Sequence, residues 1–291
     1  MPELPEVQTI TNDLKQKVVG DTILEAKTDW EKIVKEPNFD RFSQELAGKK
    51  IVDVSRRAKN IIVTLSDGKT LMIHLKMTGH LILADAAVPI VNGKWVAKPG
   101  HPLSDPQNQF IHLILKLDSK RVLALSDLRK FANVKLVPTE NVPEILADYG
   151  PEPLETDFTF ERFKDVLKGR KGPIKKVLMD QSIIAGIGNI YADEILHRAK
   201  IYPETPTLKL TEAKLKRIYQ SIPKILTEAL NLRGTSTSDF RDTAGKRGSY
   251  GDIRRVYRRQ GMPCPVCGTT IKRITLGGRG THFCPNCQKP E

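Results

Sequence analysis

The chain has 291 residues, 39% hydrophobic and 6% aromatic, which is enough for two domains with separate cores. It holds no run of ~18 apolar residues, excluding a membrane-spanning helix. Its Pro- and Glu-rich start is unlike a secretory signal, so a cytoplasmic setting is expected. The net charge is +13, and residues 205–291 carry 17 Lys/Arg against 6 Asp/Glu, a net of +11. A surplus so concentrated points to a polyanion, nucleic acid before an anionic membrane surface.

The chain opens Met1-Pro2-Glu3-Leu4-Pro5-Glu6. Proline suits a first helical turn, and Leu4, Val7, Ile10, Leu14 and Val18 mark one helical face ending at Gly20. Glu3 and Glu6 then lie where the helix dipole favours carboxylates. Chemistry offers a second reading of the same residues. Once Met1 is removed, the Pro2 nitrogen is a free secondary amine. An α-amino group titrates near ~8 against ~10.4 for lysine, leaving roughly a tenth unprotonated at pH 7. Beside two carboxylates, such an amine is a nucleophile with proton carriers attached.

Residues 51–54 and 60–65 read as strands, Ser66-Asp67-Gly68-Lys69 as a hairpin turn, and 70–75 as the returning strand. The basic turn Arg56-Arg57-Ala58-Lys59 precedes the second of these. Residues 88–106 are rich in Pro and Gly and are expected as a long surface loop. A further hairpin spans 110–117 and 121–125. One helix with antiparallel strands is best buried as a sandwich, here 1–135. Prolines 138, 143, 151 and 153 mark a linker over 136–153.

Helical patterns follow at 158–167, 174–181, 190–199 and 215–232, in a domain bounded at 154–253 that includes a Gly/Ser/Thr-rich loop from 234 to 251. Asn189 is expected as the N-cap of the helix starting at Ile190, a place that also suits phosphate. Lys171 and Lys175 just before it are further phosphate candidates. The final module, 254–291, holds all the cysteines: Cys264, Cys267, Cys284 and Cys287, as C-x2-C, sixteen residues, C-x2-C. That spacing fits one zinc held by four thiolates, a closed structural site with no position for water. Two disulfides are disfavoured in a cytosolic chain.

Taken in order, Pro2-Glu3-Leu4-Pro5-Glu6-Val7, Arg57-Ala58-Lys59, His74-Leu75-Lys76-Met77, Asp127-Leu128-Arg129-Lys130-Phe131, Gly188-Asn189-Ile190-Tyr191-Ala192 and Gly278-Arg279-Gly280-Thr281 resemble the formamidopyrimidine-DNA glycosylase family of bacterial base-excision repair. Leu4 favours it over the sister endonuclease VIII, which usually carries glycine there. The resemblance covers essentially the whole chain. It implies an α+β multidomain fold: an N-terminal antiparallel β-sandwich with a helix, a helix–two-turn–helix domain, and a four-Cys zinc finger hairpin. It implies a bifunctional glycosylase and AP lyase for 8-oxoguanine and formamidopyrimidines, acting as a monomer on damaged double-stranded DNA, away from membranes.

The resemblance also assigns roles. Pro2 is the nucleophile, Glu3 the acid/base, Glu6 the carboxylate orienting the helix start, and Lys59 a phosphate ligand assisting elimination. Met77, Arg129 and Phe131 form the wedge that fills the gap left by a nucleotide extruded from the duplex. His74, with Lys76 beside it, and Asn189 contact phosphate. Arg279 grips phosphates and assists the last elimination. The 235–251 loop closes over the extruded base. Departures are Leu128 for a usual proline, Ala132 for a usual glycine, a longer 88–106 segment, and Phe110 where relatives often carry a phosphate-binding histidine, with His112 as its expected substitute. The alternatives are a sister activity on oxidised pyrimidines and a non-catalytic zinc-containing binder of damaged DNA.

Overall fold

The computed structural model describes residues 1–236 and 239–290. Thr237 and Ser238 of the expected 235–251 loop, and Glu291, lie outside the described residues. The chain forms two units, residues 1–147 with 232–251, and residues 148–231 with 252–291. In this division the 232–251 segment groups with the N-terminal unit, and the finger with the helices.

The first unit contains α1 (Leu4–Val18), β1 (Thr22–Thr28), β2 (Val34–Glu36), α2 (Phe39–Leu46), β3 (Lys49–Arg57), β4 (Asn60–Leu65), β5 (Lys69–His74), β6 (His80–Asp85), β7 (Ile90–Val91), β8 (Lys94–Trp95), β9 (Ile111–Leu117), β10 (Arg121–Ser126), β11 (Asn133–Pro138) and α3 (Val142–Ile145). Strand β11 and α3 occupy part of what composition marked as a linker.

Nine strands follow one another in the order β2-β11-β5-β4-β3-β1-β9-β10-β6. All pairs are antiparallel except β2–β11. At the centre of that order β1 and β3 share only the register pairs Thr22↔Lys50 and Ile23↔Lys49, so the ribbon divides there into two halves. Inward side chains of both, such as Val54, Ile61 and Leu71 from one and Leu113, Leu115 and Leu123 from the other, share one core with Val7, Ile10 and Leu14 of α1. This is the sandwich with its helix.

Strands β9 and β10 are apolar on both faces for a reason. Ile111, Val122 and Ala124 face a second cluster with Ile82, Trp95 and Leu103. The 88–106 segment is therefore no plain surface loop. It carries β7, β8 and short 3-10 turns, and it covers the outer face of one half-sheet.

The second unit contains α4 (Phe160–Leu167), α5 (Ile174–Met179), α6 (Asn189–Ala199), α7 (Glu212–Asn231) and the hairpin β12 (Lys272–Leu276)–β13 (Arg279–Phe283); a single turn, α8 (Tyr250–Ile253), lies where the chain passes from the first unit to the second. Among the described residues no helix is long and apolar enough to cross a membrane.

Candidate active site

The start of α1 is built to hold two carboxylates. Glu3 is its N-cap, and the first turn is closed reciprocally. The Glu3 side chain accepts from the backbone of Glu6, and the Glu6 carboxylate accepts from the Glu3 N–H at 2.8 Å. The other Glu6 oxygen accepts from the Thr235 N–H at 2.7 Å. Glycine at 234 permits this approach, because its φ is +81° and a Cβ there would stand 2.8 Å from the Glu6 carboxylate. Pro2, Glu3 and Glu6 are all buried.

Sheet register brings the other N-terminal residues to one end of the sandwich. Arg57 pairs with Asn60, Asn60 with His74, and His74 with Asn133, so the ends of β3, β4, β5 and β11 form a single row. From that row emerge the 57–60 turn with Lys59, the β5–β6 crossover with Met77, and the β10–β11 crossover with Arg129 and Phe131. The Arg56 guanidinium reaches Gln8 of α1 at 2.6 Å, which fixes the helix to the same strand end.

The two crossovers are tied together by Asp127. Its fully buried carboxylate accepts from the Thr78 hydroxyl, from Ala132 N–H at 2.7 Å and from Arg129 N–H at 3.3 Å. With the loops so anchored, their tips project. Phe131 is 48% exposed, the Arg129 guanidinium lies 4.5 Å over its ring, and Arg129 also donates to the Met77 sulfur at 3.2 Å. Large side chains held out of the core in mutual contact suit insertion into another structure better than packing within this one.

Backbone strain marks the same positions. Ala58, Lys76 and Lys130 are non-glycine residues with φ of 52°, 53° and 56°. Each immediately precedes a predicted site residue: Lys59, Met77 and Phe131. The left-handed region costs an ordinary residue about 1 kcal/mol or more; among the described residues five other non-glycine residues adopt it, but these three gather at one sheet end. Nothing in the composition signals them.

Lys59 is buried and close enough to His74 to influence its ring. Burial, then the charges of Lys76 and Lys59, push the His74 pKa down to about 4. The ring is neutral at pH 7. Its Nδ1 accepts from the Lys76 N–H at 3.0 Å, which leaves Nε2 as the donor. His74 thus offers a hydrogen bond and not a charge. His112, the expected substitute for a phosphate-binding histidine, is buried, its Nδ1 lies 2.8 Å from Asp29, and its ring meets Trp30 edge-on.

In the second unit the N-cap of α6 is Gly188, and Asn189 is the first helical residue. Asn189 does not cap. Its amide donates to the Gly280 carbonyl at 3.1 Å and so steadies the turn carrying Arg279, which is exposed. Lys171 is exposed. Lys175 is not available to phosphate. It is buried against Asp193 at 2.7 Å and donates to Thr281 at 2.8 Å.

Two neighbouring α6 carboxylates that sequence reasoning missed hold the hairpin and the 255–257 stretch before it. Asp193 accepts from His282 N–H at 2.9 Å, and Glu194 accepts from the backbone of Arg255, Val256 and Tyr257 at 2.8–2.9 Å. Burial pushes the Glu194 pKa upward, against those three hydrogen bonds. The four cysteine sulfurs lie within 4.8 Å of one another, and none is in a disulfide. Tetrahedral zinc with Zn–S near ~2.3 Å has S–S edges of about 3.8 Å, so this set fits one ion with all positions filled.

Comparison with known proteins agrees across the chain. Residues 1–134 match the formamidopyrimidine-DNA glycosylase N-terminal domain, 149–241 its H2TH domain, and 261–290 a zinc finger found in FPG and IleRS. The formamidopyrimidine-DNA glycosylase of Pelotomaculum thermopropionicum is 39% identical over 291 residues, covering 99% of each chain. The Lactococcus lactis enzyme bound to DNA with an abasic site superposes with a TM-score of 0.87 at 34% identity, covering 99% of this chain and 100% of that one. Its complex with Fapy-dG DNA gives a TM-score of 0.86 at 35% identity over the same shares.

Proposed function

Because this chain belongs to the formamidopyrimidine-DNA glycosylase family and is a base-excision-repair glycosylase of oxidised purines with AP lyase activity and one structural zinc, we propose that its Pro2 nitrogen, freed of Met1, attacks C1′ of an extruded nucleotide. The C1′–N bond breaks and the base leaves, taking a proton. Loss of the proline N–H proton and opening of the C1′–O4′ bond then give an iminium, which has no N–H proton to lose, so it remains an electron sink and makes the 2′ proton acidic. Removal of that proton expels the 3′ phosphate, and a second elimination expels the 5′ phosphate. Glu3 carries the proton to the sugar ring oxygen as the ring opens. Glu6 holds the first turn in place through the Glu3 and Thr235 N–H groups.

Lys59 and neutral His74 meet phosphate near that sheet end, while Met77, Arg129 and Phe131 fill the vacated stack. Arg279, Lys171 and Asn189 at the start of α6 take further phosphates, and Arg279 assists the final elimination. The 235–251 loop covers the base. The protein acts as a monomer on damaged duplex DNA in the bacterial cytoplasm, at the nucleoid. The observation that carries this reading is the register row from Arg57 to Asn133, which gathers the three strained loops at one sheet end.

The test is a panel of duplexes, each with one lesion. The protein should cut 8-oxoguanine opposite cytosine far faster than thymine glycol. The reverse ranking would assign it the oxidised-pyrimidine activity, and cleavage of neither would make it a binder.

A further inference from the structure

The 88–109 segment does more than cover a sheet face. It grips the 240–246 leg of the loop that returns to the N-terminal unit. Arg241 is buried and makes a two-pronged ion pair with Asp105, Nε and Nη2 reaching the two carboxylate oxygens at 2.9 and 3.0 Å. Asp105 is itself fixed, because it caps the following turn by accepting from Gln107 N–H at 2.8 Å. Three residues on, fully buried Asn108 donates to Gly245 O at 3.0 Å and to Pro102 O at 2.8 Å, and its carbonyl meets His80 Nε2 at 2.9 Å. Gly245 has φ +75°, and a Cβ there would stand 2.7 Å from that Asn108 amide, so the contact requires glycine.

The rest of the leg is tied to elements under it. Phe240 lies in the sandwich core, Thr243 O accepts from Leu83 N–H at 2.8 Å, and the Thr243 hydroxyl donates to Asp13 of α1 at 2.6 Å. The bonds from Asp105 and Asn108 are different in kind. They come from the segment that covers the sheet's outer face, and they reach one short stretch of loop.

We infer that the 88–109 segment is a positioning element for base recognition, setting the 235–251 loop through the Asp105–Arg241 pair and the Asn108–Gly245 bond. The inference rests on the reading that this loop covers the extruded base. Its consequence is a split between two reactions of one protein. Release of a damaged base needs the loop in place. Cleavage at a site already lacking its base gives the loop nothing to cover.

The variants Asp105→Asn and Arg241→Gln separate them; asparagine keeps a cap for Gln107 while removing the charge. Under single turnover with saturating enzyme, each should slow 8-oxoguanine release about 10-fold and leave cleavage of a preformed abasic duplex within about 2-fold. The double variant should be no slower than either single one, because both remove the same contact. Unchanged base release, an equal fall in both reactions, or additive effects would overturn the inference. Failure of the unaltered protein to release 8-oxoguanine at all would instead overturn the proposed substrate.

Discussion

The N-terminal unit and the finger hold their functional residues by opposite means. Under α1 lies a hydrocarbon core running from Val7 through both half-sheets to Phe240. The finger has little such material, with Val256, Cys264, Ile271 and Cys284 buried together beside Cys287. A core so small does not hold a fold in water by area alone. Four thiolates and the α6 carboxylates do the rest. The difference teaches where each end is vulnerable: the nucleophile's platform to loss of packing, the finger to loss of metal or of a single charge.

The sharpest way to break the comparison is to remove zinc. Structural zinc contributes about 10 kcal/mol or more in small fingers. Chelation should abolish hydrogen-exchange protection across 261–290 and leave that of β3–β5 and β9–β11 intact. Loss of protection in both would mean the two ends are not independently held. Next in size is Asp193→Asn, which strands the buried Lys175 ammonium. Breaking one partner of a buried pair costs about 3–5 kcal/mol. Urea unfolding of the finger-bearing unit should shift accordingly while the N-terminal unit keeps its midpoint.

The smallest effect concerns His74. In the unfolded chain its ring binds a proton near ~6.5, in the folded chain near about 4. Between those values the unfolded state holds more protons, so stability is fully present above ~6.5 and falls as pH drops toward 4. The slope is up to about 1.4 kcal/mol per pH unit. His74→Gln should flatten it between pH 6.5 and 4.5, measured by denaturant midpoints; an unchanged slope would assign it elsewhere.

Local features were legible in the sequence and distant ones were not. The Pro2–Glu6 start, the apolar face of α1 and the cysteine spacing are each written within a few residues. Strand alternation placed His112 on the face of Phe110, but could not show that Asp29, 83 residues away, stands opposite its ring. Lys175 looked like a surface lysine until the hairpin brought Thr281 to it. Asp193 and Glu194 read as ordinary helix acids because their partners, the Lys175 ammonium and backbone N–H groups, come from other stretches of chain. Trp95 and Leu103 in the 88–106 segment were the available hint that Pro and Gly there shape a cover rather than a loose loop. The strained Ala58, Lys76 and Lys130 had no residue-type signal at all.

The central claim is a covalent one: a ring iminium between Pro2 and deoxyribose. Protein confirmed by mass spectrometry to lack Met1 is incubated with an 8-oxoguanine duplex and borohydride, then digested and mapped. A reduced adduct on the Pro2 peptide, absent from Pro2→Gly protein that is still folded, is the predicted result. No adduct from fully processed protein, or an adduct carried by a lysine peptide while Pro2→Gly retains it, would contradict the account.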